Sequence, residues 1–357
     1  MTTLMLMDWD FHLLAELSMV ESLQLNRGFW GVGAFELRIH PKARGAGELQ
    51  AGRVLFFPNA LHKAMLIDKV AYKADQVSVS GKMLKGIAGA RVCVPPSTDL
   101  EHFGWDRYMG SAEGAYHHYA AANLYNPEDG KRKIPRLYGA PSQERGITLP
   151  WQSRFGNLDA LFADIGETTE LGWDIVPDFG GAQYLFTVAE GRDLTGGTGK
   201  VTLAQRNHNA EGVVFTLDRT ALKTTAYIGG TGEDENRLIL SEGNALAGLE
   251  RWETWVDAGS IAETEMLRLA GQKRLETARV KETFMAELRD SGLCRYERDF
   301  DLGDKMILIG EDLQAEARLV EMRETYEGGA RKLQATFGAA PVTWARELRD
   351  TIWPIIR

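Results

Sequence analysis

Cysteine is nearly absent from this chain of 357 residues: there are two, Cys93 and Cys294. They lie far apart in strand-like surroundings, which favours buried free thiols over a disulfide framework and implies no oxidising compartment. No uninterrupted apolar run is long enough to cross a bilayer, so no membrane span is expected. The opening MTTLMLMDWDFHLL lacks a basic leader and carries Asp8 and Asp10, which reads against a signal peptide. Basic residues are the minority, 41 Lys and Arg against 50 Asp and Glu, for a formal net charge of −9. A sequence-independent grip on nucleic acid needs clustered cations that displace counterions. The one basic cluster, Lys131-Arg132-Lys133, follows Glu128 and Asp129 and reads as a solvated loop. An acidic balance suits a surface past which DNA slides without sticking.

Catalytic signatures are missing too. HExxH and CxxC do not occur, and the adjacent His117 and His118 point about 100° apart on a helix, so they cannot share a metal as an i, i+4 pair could. GRDLTGGTGK, residues 191–200, has Leu194 and Val201 where a phosphate loop needs Gly and Ser or Thr. YIGGTGEDENR, residues 227–237, has no third glycine in place for a dinucleotide, and Glu233, Asp234 and Glu235 would repel pyrophosphate. That acidic trio reads as a solvated turn, with a hard cation as the sharper alternative. Gly110-Ser111 and Ser80-Gly81 lack the G-x-S-x-G spacing of a nucleophile elbow. No catalytic residue, cofactor or metal is assigned. A carboxylate pair for glycoside hydrolysis stays open, since fifty acidic residues offer many chance pairs. Trp9, Trp30, Trp105, Trp151 and Trp173 could form a sugar platform, but their scatter favours core and interface packing.

What is present is mostly strand. The length suggests two to four domains. LMLMDWD, SMVESLQLNRGFW, AFELRIHP, GRVLFFP, AMLIDKVAYKA and QVSVSGK are short, β-rich and punctuated by Gly, Pro or Asn, as in a barrel or sandwich. After Pro95-Pro96 the character changes. Ser111–Tyr125 reads as a helix with an acidic first turn, and Asn157 as the N-cap of a second whose apolar face holds Leu158, Leu161, Phe162 and Ile165. GWDIVPD and QYLFTVAEGRDL read as strands, so 97–190 looks like an α+β insertion. The strand pattern resumes in GVVFTLDRTALKTTAYIGG, RLILSEG and LERWETWVDAG. Ala262–Asp290 is expected to be the longest helix, with Gly271 as a possible break. A meander follows, YERDFDLGDKMILIG, AEARLVEMRETY and RKLQATFG, in which Leu333, Ala335 and Phe337 alternate with Lys332, Gln334 and Thr336. WARELRDTIW, residues 344–353, reads as a short terminal helix.

The order of LGWDI (171–175), YLFTVAEGRDLT (184–195), VVFTLDRTALKTTAYIGGTGEDENR (213–237), GLERWETWVDA (248–258) and YERDFDLGDKMIL (296–308) resembles the ReqiPepy-type siphovirus tail protein family. QVSVSGKMLKGIAGARV (76–92) before Pro95-Pro96 matches its layout as well. Trp252 and Trp255 depart from the Arg or Phe types expected there, and the loop GTGEDENR is shorter and more acidic.

The resemblance implies an α+β, β-rich, ring-forming protein with two barrel-like hub domains. Residues 1–96 would be the first part of the N-terminal barrel, 97–190 the insert, 191–260 returning β segments, and 261–357 a long helix, second barrel segment and terminal helix. It also implies a homotrimeric tail-tip or baseplate hub in the virion, made in the host cytoplasm. Its partners would be a distal tail or tail tube protein, a tape-measure protein and downstream fibre or tip proteins, with DNA passing unbound. Alternatives from the residues are a tail-associated cell-wall hydrolase and a carbohydrate-binding adhesin. Interface candidates are Gly229, Gly230 and Gly232 in the acidic glycine loop and Asp301, Gly303 and Asp304 at a strand turn, against ordinary turn chemistry as the plainer reading.

Overall fold

The computed structural model describes residues 3–96, 104–259, 261–289, 294–310 and 314–339; the terminal helix expected at 344–353 lies outside them. The chain divides into two compact units, Met1–Val214 with Phe284–Arg357, and Phe215–Thr283.

The first unit opens with β1 (Leu4–Met7), β2 (Leu13–Leu17), β3 (Val20–Gly28), β4 (Ala34–Ile39), β5 (Val54–Phe57), β6 (Ala60–Tyr72) and β7 (Val77–Met83). They pair antiparallel in the order β3-β4-β7-β6-β5-β1-β2. Period-two alternation turns Leu23 and Leu25, Phe35 and Leu37, and Val77 and Val79 into one core. Strands β1, β5 and β6 are covered on both sides. Leu6, Leu55, Met65 and Ile67 face that core, while Met7, Val54, Phe56, Ala64 and Leu66 face a second one. This explains why RVLFFP reads as an unbroken apolar run: a strand buried on both faces has no polar side to show.

An α+β layer closes the second core. It comprises β8 (Asp106–Ser111), α1 (Ala112–Ala120), β9 (Leu137–Gly139), β10 (Thr148–Ser153), α2 (Leu158–Thr169), β11 (Gly172–Asp178) and β12 (Gln183–Ala189). Both helices start where side chains can satisfy free backbone donors. Ser111 Oγ accepts from Gly114 N at 3.0 Å, and Asn157 Oδ1 from Asp159 N at 3.1 Å. Leu158, Phe162 and Ile165 are buried as their spacing requires, and the Phe162 ring lies 4.8 Å from Trp173 and 5.4 Å from Phe186. Each such fully buried side chain contributes about 1.5–3 kcal/mol. Strands β13 (Thr202–Ala204) and β14 (Ala210–Asp218) follow.

Among its described residues the second unit holds a small sheet of three strands, β15 (Thr225–Gly229), β16 (Ile239–Glu242) and β17 (Glu253–Asp257), with the helix α3 (Thr264–Thr277). β15 is central, antiparallel to β16 and parallel to β17. Ala226 and Ile228 turn inward to Leu267, Leu275 and Ile261. A β-carbon at Gly271 would stand 2.6 Å from Ile228 Cδ1, so glycine here lets the helix seat closely on the sheet rather than breaking it.

The helix is shorter than its expected span of 262–290, which is corrected here. It stops at Thr277, and β18 (Lys281–Leu288) takes over. Phe284, Ala286 and Leu288 are buried while Met285 and Glu287 are exposed, a period of two that the charged composition masks.

The meander forms as β19 (Lys305–Ile309), β20 (Gln314–Glu327) and β21 (Ala330–Ala339), with Leu333, Ala335 and Phe337 buried. The early half of β20 pairs with β19 and its later half with β3, in register Glu321↔Gly28 to Glu327↔Ser22. A bulge between Leu319 and Glu321 marks the change of neighbour. The first and last described strands thus share one 13-stranded sheet, whose main path runs from β14 through β18, β21, β20 and β3 to β2. No described helix is long and apolar enough to cross a membrane.

Candidate assembly interface

Two sequence-distant turns clasp each other in the first unit. Gly191 has φ +73°, and a β-carbon there would stand 2.0 Å from the Gly303 carbonyl oxygen, so only glycine admits the approach. Gly303 itself has φ +95° and lies under the Phe29 ring, 2.3 Å from where its β-carbon would be. Asp304, buried, accepts from the Arg192 backbone N–H at 2.8 Å, the Arg192 guanidinium at 2.5 Å and the Asp301 N–H at 2.8 Å. Backbone bonds complete the seam: Lys305 N–H to Arg192 O and Leu194 N–H to Lys305 O, both 2.8 Å. Gly303 and Asp304 therefore work inside the unit, whereas Asp301 keeps 41% of its side chain exposed. The segment 191–195 is held in place rather than free to wrap an anion.

Beside this clasp lies a charged knot. Lys63 Nζ, from β6, reaches Glu324 Oε2 at 2.8 Å and Glu297 Oε1 at 2.5 Å, and Arg331 of β21 reaches the same two carboxylates at 2.8 and 2.9 Å. Tyr296 sits among the cations, with Lys63 at 5.6 Å and Arg331 at 5.4 Å from its ring and Arg27 donating to its hydroxyl at 2.9 Å. Glu324 is fully buried. Burial alone would push both carboxyls up, but it is outweighed at Glu297 by the His62 hydrogen bond with the charges of Lys63 and Arg331, and at Glu324 by those two charges with hydrogen bonds from Lys63 and Tyr326, so both are held below the usual range. The knot ties β3, β6, β20, β21 and the Tyr296 turn together.

A third joint is Lys85, buried in the helical turn Leu84–Ala90 that follows β7. Its ammonium donates to the carbonyls of Gly28 at 2.6 Å and Trp173 at 3.0 Å, and stands 4.9 Å from the Trp173 ring. Burial lowers its pKa to about 8 despite the counteracting Asp174.

In the second unit the three candidate glycines have local reasons. A β-carbon at Gly229 would meet the Trp255 ring at 2.5 Å, one at Gly230 would meet Leu267 Cδ1 at 2.7 Å, and Gly232 has φ +103°. Gly229 and Gly230 are buried and Gly232 is exposed. Arg237 donates to the carbonyls of Gly229 and Gly230, pairs with Asp257, and stacks 5.2 Å from Trp255. Glu233, Asp234 and Glu235 are exposed.

The other sequence candidates disperse. Trp151 and Trp173 are buried, Trp173 Nε1 donates to Trp30 O at 2.7 Å, and Trp9 stacks on Tyr184 at 4.2 Å. These tryptophans are packing, and among the described residues the exposed ones are Trp252 and Trp255. His118 binds Asp106 at 2.7 Å while His117 stands 4.0 Å from Glu113. Among the described residues no three His, Cys, Asp or Glu side chains converge as a metal site. The clasp, the knot and the stacking of Arg237 and Trp255 beside Gly229 were not visible to sequence reasoning as assemblies, although GRDLT, DFDLGDK and ERWETWVDA were each singled out.

A family model described as Siphovirus ReqiPepy6 Gp37-like protein matches residues 3–339. No curated protein matches the chain. Among solved structures, the 43 kDa tail protein of prophage MuSo2 from Shewanella oneidensis is similar at TM-score 0.57 and 8% identity, over 94% of this chain and 98% of that one. The tail protein from Neisseria meningitidis MC58 gives 0.55 at 13%, over 93% and 95%. Prophage tail protein gp18 from Listeria monocytogenes EGD-e gives 0.52 at 11%, over 99% of each chain. At these identities the likeness is one of fold.

Proposed function

The chain belongs to the Siphovirus ReqiPepy6 Gp37-like protein family, and from that premise we propose that it is a homotrimeric hub at the tip or baseplate of a phage tail. In this reading it joins the tail tube or distal tail ring to a fibre, spike or cell-wall-degrading tip, and its ring lines the channel through which DNA leaves. The observation that carries the proposal is the 13-stranded sheet whose main path ends in two edge strands, β2 and β14. A heterologous contact between such edges in successive copies closes into a ring and removes the exposed backbone groups of both. The two lobes of the sheet, meeting at β20, supply the two barrel-like parts of each subunit, and the α+β layer lies outside. The net charge of −9 keeps passing DNA from adhering. Asp301 and the loop around Gly232 are the sequence candidates left with exposure to meet a neighbour.

Light scattering and electron microscopy of the purified chain, alone and with neighbouring tail proteins, test the proposal. A ring of three is expected. A strictly monomeric chain at high concentration, even with those proteins added, overturns it.

A further inference from the structure

The second unit has one sheet face without a cover among the described residues. Helix α3 packs on the side of Ala226 and Ile228, and the other side carries Tyr227 at its centre, Ile239 on β16 and Trp255 on β17. Their exposures are 37%, 54% and 49%, high for three apolar side chains in adjacent strands. With Glu253 and Thr254 they line a shallow depression of about 380 Å³. The six-membered ring of Trp255 occupies the space above Gly229 where a side chain would stand. The indole therefore lies across the strands and offers a flat surface instead of a projecting knob.

The rim is polar and internally neutralised. Arg251 Nε binds Glu253 Oε1 at 2.6 Å, its Nη2 donates to the Tyr227 hydroxyl at 3.0 Å, and Arg237 pairs with Asp257. Each arginine also stacks beside one of the rings, Arg237 at 5.2 Å from Trp255 and Arg251 at 5.9 Å from Tyr227. This fixes the two aromatic side chains in advance of binding, so little rotamer freedom is left to lose. All four bonds onto the carboxylates, including those from Tyr227 and the Gly259 N–H, fall on Glu253 Oε1 and Asp257 Oδ1. Glu253 Oε2 and Asp257 Oδ2 remain as outward acceptors without a partner among the described residues.

The choice of occupant follows from these features. Two cations matched by two anions give no pull on a phosphate or a strongly charged peptide. Five lining residues are few beside the roughly 20–30 that a stable protein partner covers. A neutral saccharide fits both facts: its C–H face stacks on the negative face of an aromatic ring, and its hydroxyls donate to acceptors set in the rim. We propose that the Tyr227–Trp255 face of the second unit binds an uncharged oligosaccharide, stacked on the indole and phenol rings with hydroxyls donating to Glu253 and Asp257. The inference rests on the second unit alone and does not depend on the hub reading.

The test is a titration of the full chain with chitotetraose, maltoheptaose and a galactotetraose, followed by tryptophan fluorescence and by saturation-transfer NMR on the sugar protons. At least one sugar is expected to saturate the signal, with transfer strongest to ring C–H protons. Trp255→Ala is expected to weaken that sugar about tenfold or more, Trp255→Phe to weaken it less, and Leu249→Ala, at a 96% exposed position outside the depression, to leave it unchanged. Glu253→Gln serves as a second variant that keeps the platform, and weaker binding there supports the assignment if Trp255→Ala does not fold. Absence of binding to all three sugars at about 10 mM overturns the proposal. So does binding that folded Trp255→Ala or Glu253→Gln chains leave intact, or a Trp255→Ala chain whose only change is a loss of subunit association, which assigns the face to a protein partner.

Discussion

Arg192 and Asp304 stand 112 residues apart and meet with Arg192 Nη2 donating to Asp304 Oδ2 at 2.5 Å. The same carboxylate takes two backbone N–H groups, so it organises both turns at once. Removing it leaves buried donors without acceptors, each costing about 1–3 kcal/mol. Asp304→Ala is expected to destabilise the first unit by about 2–4 kcal/mol, and Arg192→Ala by less, because the backbone donors then keep their acceptor. Thermal unfolding of the two variants checks the order; equal losses would show that the guanidinium alone matters.

The charged knot gives a different kind of expectation. Lys63→Met strands Glu324, fully buried, with Arg331 as its remaining cation. Breaking one partner of a buried pair costs about 3–5 kcal/mol, whereas replacing both by apolar groups removes the desolvation penalty as well. The double variant Lys63→Met, Glu324→Leu should therefore recover much of what the single one loses. Urea unfolding midpoints of wild type, both singles and the double measure this; additive losses would mean that the pair acts as two independent contacts.

Legibility in the sequence followed the range of the interaction. Leu333, Ala335 and Phe337 announce their strand by period two, and Ser111 and Asn157 announce their helices by capping chemistry, because both signals are local. The stretch 278–290 misled because Arg, Lys and Glu suit a helix, while the alternating burial of Phe284, Ala286 and Leu288 depends on a strand paired from elsewhere. The Glu321↔Gly28 pairing and the contact of GRDLT with DFDLGDK join residues with no sequence proximity, so neither leaves a spacing to read. Each motif alone had the look of a turn. Trp255 drew notice as a departure, but its place over Gly229 needed coordinates.

Lys85 supplies a pH dependence with a definite sign. Burial holds its ammonium at about 8 in the folded chain, against 10.5 when unfolded. Between those values the unfolded chain binds more protons, so raising the pH favours folding. Buried tyrosines oppose this only near and above their ordinary range, about pH 10. Wild-type stability relative to Lys85→Met, which has no proton to lose, should rise by about 2 kcal/mol from pH 8 to about pH 10. Chemical unfolding of both across that window decides it, and parallel curves would mean that the ammonium is better hydrated than its carbonyl neighbours suggest.

The edge of the sheet offers the sharpest separation between folding and assembly. On β14 Val214 is 54% exposed and stands in an edge strand that has β18 as its neighbour in the sheet. A lysine there leaves the core untouched, so its effect on stability should stay within about 0.5 kcal/mol. An edge that must pair with another copy is a different matter, since an inserted charge is what natural sheets use to prevent such pairing. On the proposed assembly, Val214→Lys is therefore expected to fold with unchanged melting temperature yet shift from the proposed trimer to monomer in light scattering, whereas Met109→Lys, on an exposed position of β8 away from either sheet end, should leave the proposed trimer intact. If both variants assemble normally, the ring is not closed through β14 and the β2 edge loses its partner in the same step.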